Sequence, residues 1–145
     1  LDTGAECWLK LPYGSFLFPS AGALVLIAGG VGITPFLSLL KQMLDERSTQ
    51  PARLCYGVRS ADYYLFGELI ARCEAELPGF SKTIYCEDGT VPGHRGMLDI
   101  EAIRAAAPAD ALFYLSGPPP MISAFKTRLL ETGVAADRVR VDDWE

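Results

Sequence analysis

The chain reads as a three-layer α/β domain, a five-stranded parallel sheet with helices on both faces. Three observations predict it. From residue 21 onward, strand-sized apolar runs alternate strictly with segments of helical period, the pattern of a parallel sheet. The runs are apolar throughout, as strands covered on both faces require. A glycine hinge, Gly29-Gly30-Val31-Gly32, joins the first run directly to the first helix.

The elements follow in order. The first strand is expected at about 24–28 and its helix at about 35–46. Thr34 stands where an N-cap belongs and Pro35 at the first helical position. Phe36, Leu40, Met43 and Leu44 then share one helical face. A second strand is expected at about 53–58 and a second helix at about 62–76, striped by Phe66, Leu69, Ile70, Cys73 and Leu77. A third strand spans about 81–86, and Asp99 caps a third helix at about 100–107. The fourth strand, about 111–116, leads through Gly117 and three prolines into a fourth helix, about 120–132, that Gly133 stops. A last strand is expected at about 138–142. Residues 1–20 differ in character. Their rough alternation, broken by Pro12 and Gly14, reads as the last strand of a preceding β-domain, with the α/β domain covering 21–145.

Composition narrows the function classes. Half of the 145 residues are hydrophobic, enough for a sizeable core. The net charge of −5 and the absence of a basic run argue against nucleic acid and anionic membranes as partners. No apolar run reaches the length of a membrane span, and no signal peptide opens the sequence. Cys7, Cys55, Cys73 and Cys86 are widely spaced and His94 is the single histidine, so no metal site is expected. Buried reduced thiols suit an intracellular, cytoplasmic setting. The opening at Leu1, in mid-pattern, suggests a domain of a longer protein.

In open parallel sheets the ligand lies beyond the carboxyl ends of the strands, and three strand ends here carry unusual residues. The first is the hinge with Ile33, Thr34 and Pro35. Glycines allow a tight turn and close ligand approach, and the start of a helix favours an anion. It is not a Walker loop, because no Lys-Ser/Thr follows. It departs from GxGxxG at Pro35, and a plain tight turn is the simpler alternative. The second strand end is Gly57-Val58-Arg59-Ser60-Ala61-Asp62. In dinucleotide folds this end meets the adenosine ribose, where an acid suits a free 2′-hydroxyl and an arginine a 2′-phosphate. Arg59 and Asp62 offer both, unless Ser60 or Asp62 merely caps the second helix. Glu87 and Asp88, at the next strand end, would disfavour an added phosphate where they lie close to it. The third is Ser116-Gly117-Pro118-Pro119-Pro120-Met121, a close-approach glycine and a stiff helix start that can hold a planar ring.

Taken together and in this order, these segments resemble the ferredoxin–NADP reductase superfamily. Gly29 to Phe36 is similar to its AGGxGIxPF motif, and Tyr56-Gly57-Val58-Arg59 with Phe66 and Glu68-Leu69 to its YGxR…F-x-x-EL segment. Ser116-Gly117-Pro118 with Met121-Ile122 resembles CGPxxM, with serine in place of the frequent cysteine. Pro12 to Phe16 resembles the GPxGxF strand that closes the family's flavin barrel, and Val139 to Trp144 its closing strand with a C-terminal aromatic.

The resemblance implies a Rossmann-like NAD(P)-binding domain of a flavin-dependent electron-transfer oxidoreductase. NAD(P)H would pass hydride to a flavin, FAD rather than FMN, held mainly by a separate flavin-binding domain of the same protein. Gly29, Gly30 and Gly32 would admit the pyrophosphate and nicotinamide, with Val31 and Ile33 between and beside them, and Thr34 and Pro35 on the nicotinamide side. Arg59, Ser60 and Asp62 would meet the ribose. Gly117, Pro118 and Met121 would border the nicotinamide. Ser116 and Trp144 would stand at the reacting rings. NADH is expected over NADPH, from Asp62, Glu87 and Asp88. The family's flavin-binding signature is absent from this sequence, and the electron acceptor is not specified by it. Two other functions compete: a non-catalytic nucleotide-sensing or docking module, and an unrelated dehydrogenase, which Pro35 and the lack of an acid–base pair disfavour.

Overall fold

A computed structural model describes residues 16–142. Its core is an entirely parallel sheet in which β1 (Leu24–Gly29) occupies the middle. On one side β1 pairs with β2 (Ala52–Val58), then β3 (Phe80–Cys86), then the two-residue β4 (His94–Arg95). On the other side it pairs with β5 (Leu112–Ser116), then β6 (Val139–Val141). The order is β4-β3-β2-β1-β5-β6. The sheet therefore has six strands where the sequence predicts five. His94–Arg95 continues the edge beyond Tyr85 and Cys86 but is too short to show a period of its own.

Every residue of β1 is buried, and its side chains divide by the period of the strand. Leu24, Leu26 and Ala28 enter a core with α1 (Thr34–Asp45) and α2 (Gly67–Glu76). Val25 and Ile27 enter the opposite core with α3 (Ile100–Ala105) and α4 (Pro119–Glu131). Each fully buried Leu or Ile contributes about 1.5–3 kcal/mol. That explains the long apolar runs: a central parallel strand has no solvated face.

Helix starts differ most from expectation. Thr34 does not cap α1. A 3₁₀ turn over Gly30–Ile33 leads straight into the helix, Thr34 is its first residue, and the Thr34 hydroxyl donates back to the Val31 carbonyl. The second helix starts at Gly67, five residues later than predicted. Residues 61–63 form a separate 3₁₀ turn, and Phe66 adopts a left-handed φ of 60° ahead of the helix, 48% exposed rather than on its buried stripe. Leu77 follows the helix but is buried. Asp99 caps α3 as its position suggests, its carboxylate accepting from the amides of Glu101 and Ala102 at 3.0 Å each. Helix α4 ends at Glu131, with Thr132 as its C-cap. Gly133, with φ of 88°, turns the chain so that its own amide and that of Val134 reach the Leu130 and Leu129 carbonyls.

Candidate functional site

A cleft of about 620 Å³ opens at the carboxyl ends of the central strands. Its position follows from the topology. β1 is flanked by β2 and β5, and the connections leave β1 and β5 for opposite faces of the sheet, which parts the loops above them. The volume lies in the range of small-molecule and cofactor sites.

The hinge supplies Gly29, Gly30 and Val31 to the wall. Its glycines do different work. A Cβ on Gly29 would stand 2.7 Å from the Met121 sulfur, and one on Gly32 would overlap the Ser116 carbonyl and come within 2.6 Å of the Gly117 nitrogen. Those two glycines let the hinge close onto the end of β5 and the start of α4. Gly30 is the opposite case. Its φ is +56°, and nothing stands within 4 Å of where a Cβ would be. Val31 beside it is 77% exposed. No side chain caps this turn. The hinge thus presents bare backbone to the cleft at Gly30, the close approach a phosphate needs.

The end of β2 supplies Gly57, Val58 and Arg59, and Glu87 stands at the end of β3. Arg59 and Glu87 are the two charged side chains of the lining, and among the described residues no ion pair joins them. Asp88 is committed elsewhere. Its carboxylate accepts from the Thr90 hydroxyl at 2.7 Å and the Thr90 amide at 2.9 Å, which hold it below the usual carboxylate range. Thr90 in turn accepts from the Ala61 amide at 2.8 Å, pinning the turn after β2 to the loop after β3. Ser60 makes no cap bond, and Asp62 lies exposed in the first turn of the 3₁₀ segment, outside the lining.

The remaining wall is apolar. It comes from Tyr63, from the loop Gly96–Met97–Leu98, and from Pro118, Pro120, Met121 and Phe125 at the start of α4. Leu98 packs where Gly57 lacks a side chain: a Cβ there would lie 2.7 Å from the Leu98 Cγ.

Of the residues singled out in the sequence, Gly29, Gly30, Val31, Gly57, Val58, Arg59, Glu87, Pro118, Pro120 and Met121 come together on the cleft. Gly32 and Ile33 are buried behind the hinge, and Thr34 and Pro35 belong to the start of α1. Gly117 packs against Gly29 and Met121. Ser116 is 3% exposed, and its hydroxyl donates to the Asp142 carboxylate at 3.1 Å rather than into the cleft. Trp144 lies outside the described residues. Among the described residues no group of three or more His, Cys, Asp or Glu could hold a metal ion. Sequence reasoning missed Tyr63, Met97, Leu98 and Phe125. Met97-Leu98 left a trace: an apolar pair between Gly96 and the Asp99 cap with no helical or strand partner.

These residues fit a nicotinamide dinucleotide: bare backbone at Gly30 for its phosphates, apolar walls for its rings, and one charge of each sign for its polar groups.

Comparison with known proteins agrees. The oxidoreductase NAD-binding domain family matches residues 26–127. The reductase component of propane 2-monooxygenase from Mycolicibacterium smegmatis is 36% identical over 156 residues, 99% of this chain and 44% of that protein. A flavohemoprotein from Deinococcus radiodurans is 31% identical over 147 residues, 95% of this chain and 36% of that protein. The chain thus spans less than half the length of these relatives. Among solved structures, the FAD/NAD-binding domain of nitric oxide dioxygenase from Vibrio cholerae shares the fold with a TM-score of 0.77 at 23% identity, over 91% of this chain and 55% of that one. A ferredoxin NADP⁺ reductase from Neisseria gonorrhoeae does so with a TM-score of 0.74 at 22% identity, over 90% and 60%. The chain belongs to the oxidoreductase NAD-binding domain family.

Proposed function

We propose that this chain is the part of an NAD(P)H-dependent flavoprotein reductase that binds the reduced nicotinamide dinucleotide and presents it to a flavin. The observation that carries the reading is the cleft at the sheet's switch point, with the open face of Gly30 and opposite charges on its wall. When bound, reduced nicotinamide supplies a hydride that a flavin accepts as an electron pair and releases one electron at a time.

The chain's own work is binding and orientation. Gly30 and Val31 would receive the pyrophosphate along bare backbone, with Arg59 as its charge partner. Glu87 would accept from a ribose hydroxyl. Its negative charge in the same cleft as Arg59 supports NADH over NADPH, because a 2′-phosphate would add like charge. Asp62 remains a further acid for that end; Asp88 does not, since Thr90 holds it. Pro118, Met121 and Phe125 would form the wall for the nicotinamide ring and keep water from it.

The flavin, FAD in this reading, would sit mainly in a separate domain of the same protein. Residues 1–20 would carry the last strand of that domain, and 21–145 the nucleotide domain. The relatives' share of length supports a larger protein, and the name of the first relative supports a role feeding electrons to a partner. No described helix is long and apolar enough to cross a membrane. The three described cysteines are free and buried, which supports a reducing, cytoplasmic setting.

The test has two steps: titrate NADH and NADPH into the protein, then follow flavin reduction in the full-length flavoprotein. Binding followed by flavin bleaching is expected, with NADH the tighter ligand. Binding without any flavin reduction would favour a nucleotide-sensing module.

A further inference from the structure

The segment from Phe16 to Gly22 is fastened by side chains of distant elements. Tyr114 of β5 donates its hydroxyl to the Leu17 carbonyl at 2.6 Å. Its ring lies 4.7 Å from that of Phe18 and meets Phe16 edge-on at 5.2 Å. Phe36, in the first turn of α1, completes the cluster at 5.9 Å from Phe16 and 6.1 Å from Phe18. Farther along, the Gln50 amide donates to the carbonyls of Pro19 and Gly22 at 3.0 and 3.1 Å. A surface segment without regular structure ordinarily turns its carbonyls to water. Here three carbonyls in six residues are held from positions 28 to 97 residues away. The side chain of Leu17, 68% exposed, points away while its carbonyl is held.

The anchors are the elements that build the cleft. Tyr114 precedes Ser116 by two residues, about 7 Å along β5, and that strand delivers Pro118 to the wall. Phe36 follows the glycine hinge by one turn of α1. The path of residues 16–22 is therefore referenced to both sides of the nucleotide site, through a strand and a helix that are packed rigidly into the core.

We propose that Tyr114 is a positioning residue for hydride transfer. By holding the Leu17 carbonyl it fixes the path of residues 16–18 along this domain, and so the placement of an upstream flavin-binding unit over the cleft. This rests on the proposed function. Transfer between two separately held rings is sensitive to such placement, since a misplacement of about 1 Å can cost on the order of 100-fold in rate.

The test uses the full-length flavoprotein. Tyr114→Phe keeps the ring contacts and removes the donated bond. Stopped-flow flavin reduction at saturating NADH is expected to slow about tenfold, with the NADH dissociation constant held within about twofold. Amide exchange at residues 17–20 should quicken in the same variant. Gln50→Ala, which releases the segment from its other anchor, should give the same split between rate and affinity if Tyr114→Phe folds poorly. Thr132→Ala removes a comparable hydroxyl-to-carbonyl bond, to Leu129 at the far end of α4, and should change neither quantity. A wild-type rate in Tyr114→Phe despite faster exchange would overturn the inference. So would rate and affinity falling together, or the same split in Thr132→Ala. A wild-type protein that binds NADH but never reduces its flavin would instead overturn the proposed function, and this inference with it.

Discussion

Ser116 donates its hydroxyl to the Asp142 carboxylate, which ties the carboxyl end of β5 to the residue after β6. The Asp142 amide donates to the Leu115 carbonyl at 2.9 Å, so side chain and backbone close the same corner. The serine that stands where the family motif often has cysteine is thus a structural tie between neighbouring strand ends. Ser116→Ala should cost about 1 kcal/mol, as the loss of one hydrogen bond to a half-exposed carboxylate does. NADH affinity should be unchanged. Urea denaturation and a binding titration on the same variant check both.

Two glycines of one motif should respond in opposite ways. Gly32→Ala drives a Cβ into the Ser116–Gly117 backbone, where neither side can yield cheaply. It should destabilise the fold by about 1–3 kcal/mol or more. Gly30→Ala meets open space and pays only for its left-handed φ, about 1–2 kcal/mol. It should fold and yet bind NADH about tenfold more weakly or worse, a loss of about 1.4 kcal/mol in binding. Thermal melts paired with titrations separate the two effects.

That contrast marks what the sequence carried and what it did not. The β–α alternation was legible because central parallel strands must be apolar on both faces, and the site followed because ligands gather at the carboxyl ends of such strands. Gly30 and Gly32 look alike in sequence; the approach of the β5 end to Gly32 and the left-handed φ of Gly30 distinguish them. Phe66 fell on a helical period by accident of spacing, and its left-handed φ comes from the turn over 61–66. His94–Arg95 had too few residues to carry a strand pattern. Met97 and Leu98 reach the cleft because a loop folds back over Gly57, a contact that local sequence does not encode. Asp88 looked equivalent to Glu87 until Thr90 claimed its carboxylate.

Burial in the sheet pushes the Cys55 thiol up to about 11, against a partial opposing pull from Arg53. The unfolded thiol ionises near 9.0 and the folded one two units later, so between those values the native state holds a proton that the unfolded state has lost. The stability tied to this thiol is complete below pH 9 and disappears as pH rises to 11, roughly 2–3 kcal/mol in all. Cys55→Ala loses core packing at every pH. Its stability deficit relative to wild type should shrink across that window. Urea midpoints at pH 8, 9.5 and 11 follow the difference, and a constant gap would count against a buried, proton-retaining thiol.

A nicotinamide dinucleotide is expected in the cleft above β1, β2 and β5. The most direct measurement is an amide chemical-shift titration of the ¹⁵N-labelled chain with NADH. Saturable shifts are expected, concentrated at Gly29–Val31, Gly57–Arg59, Glu87, Met97–Leu98 and Met121, all abolished together in Gly30→Val. Shifts centred elsewhere on the surface, or a titration in which Gly30→Val responds like wild type, would contradict it.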